Sequence, residues 1–366
     1  MTTGAVEKPA PAIADVVGLA GLPTSRLRPR ALVLAACFTV ACALVGLAVG
    51  PTPVPIGGIV ESILGHLPLL GVHSHLSATQ TAILWQIRAP EVVLGLLVGG
   101  MLALAGSAYQ GVFRNPLADP YLLGVSAGAG LGATIVIVYG SVGAGSDPYV
   151  LPAVAFAGAL IAVALTYLIA RGGRGFGTAS LLLAGVAIDA LLGAIQSYVQ
   201  QQAPGTINQA YYWLLGSLAG ADWHDVWLIV PYCAIGTAVV LIHRRTLDVL
   251  SLGDLEAASL GVDVGRVRLT VIAGASLVAA AVVSVSGLIG FVGLIIPHAV
   301  RMAAGSSYRI VSPLSMFVGA GFLVLCDVIA GRVLAPQELP IGVVTAVIGA
   351  PFFIVILRTR RAGGAS

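Results

Sequence analysis

Charged residues are scarce in this chain of 366 residues, because Asp, Glu, Lys and Arg together make up only 9% of it. Lysine occurs once, at Lys8. A phosphate-binding loop of the Gly-Lys-Ser/Thr type is therefore excluded, since its lysine must contact the phosphates of the nucleotide. Any ATP hydrolysis that drives this protein must take place in another subunit.

Cysteine is rare, and catalytic patterns are missing. The four cysteines lie in apolar stretches and form no Cys-x-x-Cys pair; they are Cys37, Cys42, Cys233 and Cys326. They predict neither a disulfide framework nor a zinc site. His66, His73 and His75 fall in one polar loop, for which we favour a solvated loop over a metal site. No Ser/His/Asp or Cys/His pairing stands out, so the sequence assigns no catalytic residue, no metal and no cofactor.

Long apolar runs are what the chain has in abundance, and 58% of its residues are hydrophobic. Runs of about 20 residues recur, each long enough to cross a bilayer as a helix. The sequence therefore predicts an all-α polytopic membrane protein with about ten transmembrane helices. The spans are predicted at 31–50, 91–109, 119–139, 149–170, 179–200, 223–243, 269–286, 288–302, 311–331 and 340–357.

The predicted domain plan has three parts. Residues 1–30 form a disordered cytoplasmic tail, 31–358 form the ten-span domain, and 359–366 form a second cytoplasmic tail. A cleaved signal peptide competes for the run 31–50, but that run is longer than the usual hydrophobic core of a signal peptide. We therefore expect the run to be retained as the first span.

The basic residues predict the orientation. With ten spans and the N-terminus inside, every Lys and Arg except Arg88 and Arg332 falls on the cytoplasmic side. Because positively charged loops remain in the cytoplasm, both termini are predicted to be cytoplasmic, in a multi-pass protein of the cell (inner or plasma) membrane. The net charge of +3 then gives no indication of nucleic-acid binding. Glycines at four-residue spacing, such as Gly95 and Gly99, predict close packing of helices in the bilayer.

Residues 244–268 concentrate the charges that the rest of the chain lacks. The charged side chains there are Arg244, Arg245, Asp248, Asp254, Glu256, Asp263, Arg266 and Arg268. The segment predicts a short helix that Ser251 caps at its start and Gly261 ends. Leu252, Leu255 and Ser259 would lie on one face of this helix. A helix that bears on a partner and a solvated loop between two spans are both compatible with this segment.

Three further stretches combine prolines and glycines with the ends of apolar spans: Gln110–Gly124, Gly287–Arg301 and Glu338–Phe353. Together with 244–268 they resemble the membrane permeases of the type II ATP-binding-cassette (ABC) importers for iron-siderophores, haem and cobalamin (FecCD-type). The resemblance runs from about Arg88 to Leu357.

The resemblance implies a transport subunit, not an enzyme, that translocates an iron complex (a ferric siderophore or haem) into the cytoplasm. A cobalamin importer is the alternative. The implied partners are cytoplasmic ABC ATPase subunits, an extracytoplasmic substrate-binding protein, and a second permease copy as a homodimer or paralogous heterodimer. The implied ATPase-coupling residues are Ser251, Asp254, Glu256, Ala257 and Gly261.

The resemblance also implies positions along the transport pathway. Asn115 and Leu117 would lie at a cytoplasmic constriction, and Thr178 would lie at a gate. From the residues alone, Asn115 is equally a turn residue that precedes Pro116.

Docking of the binding protein is implied at Arg88, Glu91 and Arg332, where this chain departs from the family pattern. Glu91 stands where the family usually has arginine, and Arg332 lies one place beyond the usual position. Glu91 has a second interpretation, because after Pro90 it would occupy the first turn of a helix and favour the helix dipole.

A polar stripe marks the predicted fifth span. Asp189, Gly193, Gln196 and Gln200 recur at helical spacing, which predicts either a pathway-facing surface or hydrogen bonds between helices. An ion-coupled secondary transporter remains an alternative function, with Asp189 and Asp327 as its intramembrane ionisable groups. For a membrane enzyme we find no catalytic constellation.

Overall fold

The computed structural model describes residues 29–50, 52–65, 74–140, 147–172 and 177–363. Most of the predicted N-terminal tail, His66, His73 and residues 364–366 lie outside these ranges. All regular secondary structure in the described ranges is helical, which confirms the all-α fold class.

The α-helices of these ranges are, in chain order, α1 (Pro29–Ala48), α2 (Ile56–Gly65), α3 (Ala78–Ala82), α4 (Ala89–Phe113), α5 (Val125–Tyr139), α6 (Val150–Gly172), α7 (Thr178–Gln202), α8 (Ile207–Leu214), α9 (Trp223–Leu250), α10 (Asp254–Ser259), α11 (Val264–Ser286), α12 (Val292–Ala304), α13 (Tyr308–Val333) and α14 (Ile341–Gly363). A π-helical segment, Ile83–Arg88, joins α3 to α4, and short 3-10 turns lie at Pro120–Leu123 and Pro204–Thr206.

Seven helices in the described ranges are long and apolar enough to cross a membrane: α1, the continuous helix Ala78–Phe113, α6, α7, α9, α11 and α13. Three predicted spans correspond to shorter apolar helices, namely α5, α12 and the Ile341–Val355 portion of α14. The chain is therefore a multi-pass membrane protein.

The start of the second span is a correction to the sequence prediction. The helix does not begin near Glu91 but at Ala78, where Ser77 and Gln80 form a reciprocal capping box. It continues through Pro90 because the π segment precedes it, and there the Ala89 N–H donates to the carbonyl of Leu84. The wider π turn accommodates a proline that would clash with a regular α-helical turn.

The helix α4 lies at the centre of the bundle and packs against α9, α11, α12 and α13. Glycine brings α4 and α13 into backbone contact, because a methyl group at Gly99 would collide with the carbonyl oxygen of Gly319. The close packing predicted from the glycine spacing is thus confirmed at Gly99.

Irregular backbone between the helices is hydrogen-bonded within the protein. The Ser217 N–H donates to the Ser286 carbonyl at 2.9 Å, and the Gly342 N–H donates to the Leu215 carbonyl at 3.1 Å. In the break between α11 and α12, the Tyr121 hydroxyl donates to the carbonyl of Ile289 and accepts from its N–H. Such pairing is what allows non-helical backbone at membrane depth.

Candidate functional site

The charged segment between α9 and α11 contains the short helix α10, but Ser251 is not its N-cap. The helix α9 extends to Leu250, and the Ser251 hydroxyl donates back to the carbonyl of Asp248 at 2.6 Å. Gly253 holds the N-cap position of α10, with φ at +138° and no side-chain cap. The capping prediction for Ser251 is therefore wrong, because this serine belongs to the last turn of the preceding helix.

The end of α10 agrees with the sequence prediction. Gly261 has a left-handed φ of +82°. Its N–H donates to the carbonyl of Ala258, and the next N–H, of Val262, donates to the carbonyl of Ala257. This pair of bonds is a Schellman motif, in which a glycine stops the helix and satisfies its last carbonyl groups.

The two faces of α10 differ sharply in exposure. Leu255 is 84% exposed, and Leu252 and Leu260 are also exposed, whereas Ala257 is completely buried in the core of the chain itself. Ala257 thus holds α10 against the bundle, and the leucines form an apolar surface in a charged, solvent-facing region. An exposed apolar surface of this kind is typical of a docking site.

Asp254, the first residue of α10, forms ion pairs that the sequence analysis did not anticipate. Nη2 of Arg268 donates to both carboxylate oxygens of Asp254 at 3.1 Å. Arg114, which ends α4 with φ at +50°, places its Nη2 at 3.2 Å from Oδ1 of the same carboxylate. Only tertiary structure brings these residues together, since no short spacing in the sequence relates them.

Asp248 fixes the opposite side of the same segment. Its carboxylate accepts hydrogen bonds from the Ser307 hydroxyl at 2.7 Å and from the Tyr308 N–H at 2.6 Å, so it caps the start of α13. Asp248 and Asp254 together tie the segment around α10 to α4, α11 and α13.

The turn after α4 contains the proposed constriction residues. Oδ1 of Asn115 accepts a hydrogen bond from the Leu117 N–H at 3.0 Å, as expected for a turn residue before Pro116. Leu117 itself is exposed. Arg114, directly before Asn115, pairs with Asp254, so the turn and α10 are linked by one ion pair. Thr178 is the first residue of α7 and is partly exposed.

The polar stripe lies along α7 and faces α5 at two positions. Nε2 of Gln196 donates to the Thr134 hydroxyl at 3.1 Å, and the Ser126 hydroxyl donates to Oδ1 of Asp189 at 3.5 Å. Asp189 is nevertheless exposed in the single chain, and Gln200 is partly exposed. The structure thus contains the interhelical hydrogen bonds of the alternative interpretation and leaves part of the stripe open.

Arg88, Glu91 and Arg332, the three residues predicted to dock the binding protein, line a cavity of about 260 Å³ at the end of the bundle opposite α10. The charged side chains around it are Arg88, Glu91, Asp327, Arg332 and Glu338. Arg88 is only 6% exposed and donates to carbonyl groups at and beyond the end of α1, those of Leu47, Ala48 and Thr52. Its guanidinium group therefore holds α1 in place.

The position of Glu91 removes one of its two interpretations. Because the helix begins at Ala78, Glu91 is not in the first turn of a free helix end and cannot act on unpaired N–H groups there. Glu91 instead shares the cavity with Asp327 and Glu338. Arg332 lies at the exposed edge, where its Nη2 donates to the Gly50 carbonyl at 3.3 Å.

The described residues thus form an all-helical, multi-pass membrane bundle in which a short helix with exposed leucines at and beside it, α10, lies between two long helices. The sequence profile of the FecCD transport family matches residues 37–359, and the chain belongs to that family. The family predicted from the sequence motifs is thereby confirmed.

Characterised relatives are similar along most of the chain. The cobalamin import system permease protein of Halobacterium salinarum is 46% identical over 283 residues, which cover 77% of this chain and 75% of that protein. The Fe(3+)-citrate import system permease protein of Bacillus subtilis is 37% identical over 338 residues, which cover 92% of this chain and 97% of that protein. The hemin transport system permease protein of Yersinia pestis is 39% identical over 291 residues, which cover 75% of this chain and 83% of that protein.

A solved structure of an ABC transporter in an inward-facing conformation superposes with a TM-score of 0.79 at 30% identity, covering 91% of this chain and all of that one. The relatives are permease subunits of importers, so the chain is a transport subunit and not itself an enzyme.

Proposed function

We propose that this chain is the transmembrane permease of an ATP-driven importer that moves a metal chelate into the cytoplasm. The observation that carries the proposal is α10, which presents exposed leucines to solvent while Asp254 connects it to the interior of a FecCD-type bundle. A secondary transporter needs no such docking helix.

The ion pairs suggest how force passes from the ATPase to the pathway. A cytoplasmic ATPase subunit binds the surface formed by Leu252, Leu255 and Leu260. Its movement displaces α10, and Asp254 transmits the displacement to Arg114 and Arg268. Because Arg114 precedes Asn115, the turn at the constriction moves with α10. Thr178 at the start of α7 and the stripe of Asp189, Gln196 and Gln200 complete the pathway.

The full assembly follows from the same proposal. Ten membrane crossings result when α5, α12 and α14 are counted with the seven longer helices. Both termini are then cytoplasmic in the cell membrane, and α10 lies on the side of the ATPase subunits. A second permease copy forms the pathway with this one. The extracytoplasmic binding protein docks near Arg332 and Glu91, with Arg88 supporting that surface from below.

Two classes of cargo are supported by different relatives. The higher identity, 46%, belongs to a cobalamin permease, and the wider coverage, 92% of this chain, belongs to an iron-citrate permease. We place cobalamin first, because the cobalamin permease shares the higher identity with this chain. A ferric siderophore or haem, favoured by the sequence analysis, is the second candidate.

Uptake by proteoliposomes tests this proposal. The chain would be reconstituted with its ATPase subunits and binding protein, and uptake of labelled cobalamin, ferric citrate, a ferric hydroxamate and haemin would be compared. One of these compounds should accumulate inside the liposomes only when ATP is supplied to the ATPase. Accumulation of none of them, with an assembled complex that hydrolyses ATP, would refute the metal-chelate cargo.

A further inference from the structure

A groove runs between α6 and α9 over α11. The walls meet near the starts of α6 and α9, where the rings of Phe156 and Tyr232 lie 4.9 Å apart and those of Tyr149 and His224 lie 3.9 Å apart. Beyond these contacts the two helices separate, and α11 forms the floor of the groove. The open part has a volume of about 720 Å³.

The lining of the open part is almost entirely apolar. Ala164 and Leu168 come from α6, Ile235 and Val239 come from α9, and Ala273 comes from the floor. Leu168 is 62% exposed and Ile235 is 56% exposed, so no part of the chain that the structure describes covers them. Along α6 the lining extends from Leu160 to Leu168, which is about 12 Å at 1.5 Å per residue and falls within the hydrocarbon depth of one leaflet.

Two arginines stand at the open end of the groove. Arg171 follows Leu168 by three residues on α6, and Arg266 precedes Leu269 by three residues on α11, so each continues the face that lines the groove. Both side chains are exposed. Among the described residues, Arg171 takes part in no ion pair, and Arg266 pairs with the exposed carboxylate of Asp263 at 3.0 Å.

We propose that this groove is a binding site for an anionic phospholipid, with an acyl chain against the apolar lining and the phosphate between Arg171 and Arg266. The combination of an acyl-length apolar groove with two exposed arginines at its membrane-surface end, one of them in no ion pair among the described residues, is the observation that carries the proposal. Basic pockets between transmembrane helices bind anionic headgroups for the same electrostatic reason. A neutral lipid fits the lining but gains nothing from the two arginines.

Native mass spectrometry of the full chain tests the site. The protein would be purified in detergent with equal amounts of dioleoyl-phosphatidylglycerol and dioleoyl-phosphatidylcholine. We expect one phosphatidylglycerol to be retained per chain in preference to phosphatidylcholine. Arg171→Gln and Arg266→Gln should each lower the retained fraction roughly fivefold. Arg245→Gln is the matched control, because Arg245 is exposed on α9 but lies on a face that does not continue the groove.

A second variant tests the groove itself without removing charge. Ala273 is exposed on the floor, so Ala273→Leu adds volume to the groove and not to the packed core. It should reduce retention of phosphatidylglycerol while the melting temperature without lipid stays unchanged. The proposal would be overturned if the wild-type chain retained the two lipids equally. It would also be overturned if none of the three substitutions changed the retention of phosphatidylglycerol. Disulfide formation between copies through Ala273→Cys would overturn it as well, because it would show that another protein chain occupies this face.

Discussion

At the scale of single residues, Asp254 is the group on which the proposed coupling mechanism depends. Its carboxylate is shared by Arg114 at the end of α4 and by Arg268 on α11. Arg268 is almost completely buried, and a buried guanidinium requires a partner of opposite charge. Asp254 therefore both stabilises the bundle and connects α10 to the turn that holds Asn115.

Replacing Asp254 by asparagine keeps the size of the side chain and removes its charge. We expect Asp254→Asn to lower the free energy of unfolding by about 1.5–3 kcal/mol, the usual contribution of hydrogen bonds to charged groups. ATP hydrolysis should continue while uptake falls. Asp263→Asn is the control, because the Asp263–Arg266 pair is exposed and contributes about 0–1 kcal/mol. Equal effects of the two substitutions on uptake would argue against a coupling role for Asp254.

Leu255 lies on the exposed face of α10, where we propose that the ATPase docks, and Ala257 lies on its buried face. Leu255→Glu should change the free energy of unfolding by no more than about 0.5 kcal/mol and should abolish binding of the ATPase subunits. Ala257→Glu should destabilise the chain by about 3 kcal/mol or more, because it places a charge in the core. Thermal unfolding and co-purification of the ATPase measure the two effects. If the Leu255 variant still binds the ATPase normally, the docking surface lies elsewhere.

At the scale of elements, the contact between α4 and α13 depends on the absence of side chains. Gly99 and Gly319 face each other closely enough that either backbone would collide with an added methyl group. In a bilayer, where lipid is as apolar as the helices, such close packing is a main source of helix association.

Gly99→Leu should therefore separate α4 from α13. We expect a loss of about 1–3 kcal/mol or more, measured as a lower melting temperature in detergent. Gly57→Leu on α2 is the control, because nothing lies within 4 Å of a side chain added there. A melting temperature that falls equally in both variants would mean that general effects of leucine, and not this contact, determine the result.

At the scale of the whole molecule, periodicity and composition predicted the helical class and most spans, because apolar length alone determines them. The start of the second span was missed, since a π segment allows a helix to continue through Pro90. Ser251 was misassigned because α9 extends further than its apolar run. The Asp254 pairs were inaccessible to sequence patterns, because they join residues from three separate elements.

The source of energy tests the central claim most directly. Proteoliposomes containing the chain, its ATPase subunits and the binding protein would be assayed for uptake with and without ATP, and with ionophores that collapse ion gradients. We predict that uptake requires ATP, is unaffected by the ionophores, and is lost in the folded Leu255→Glu variant. Uptake without ATP that follows a proton or sodium gradient would contradict this account and would indicate ion coupling through Asp189 and Asp327.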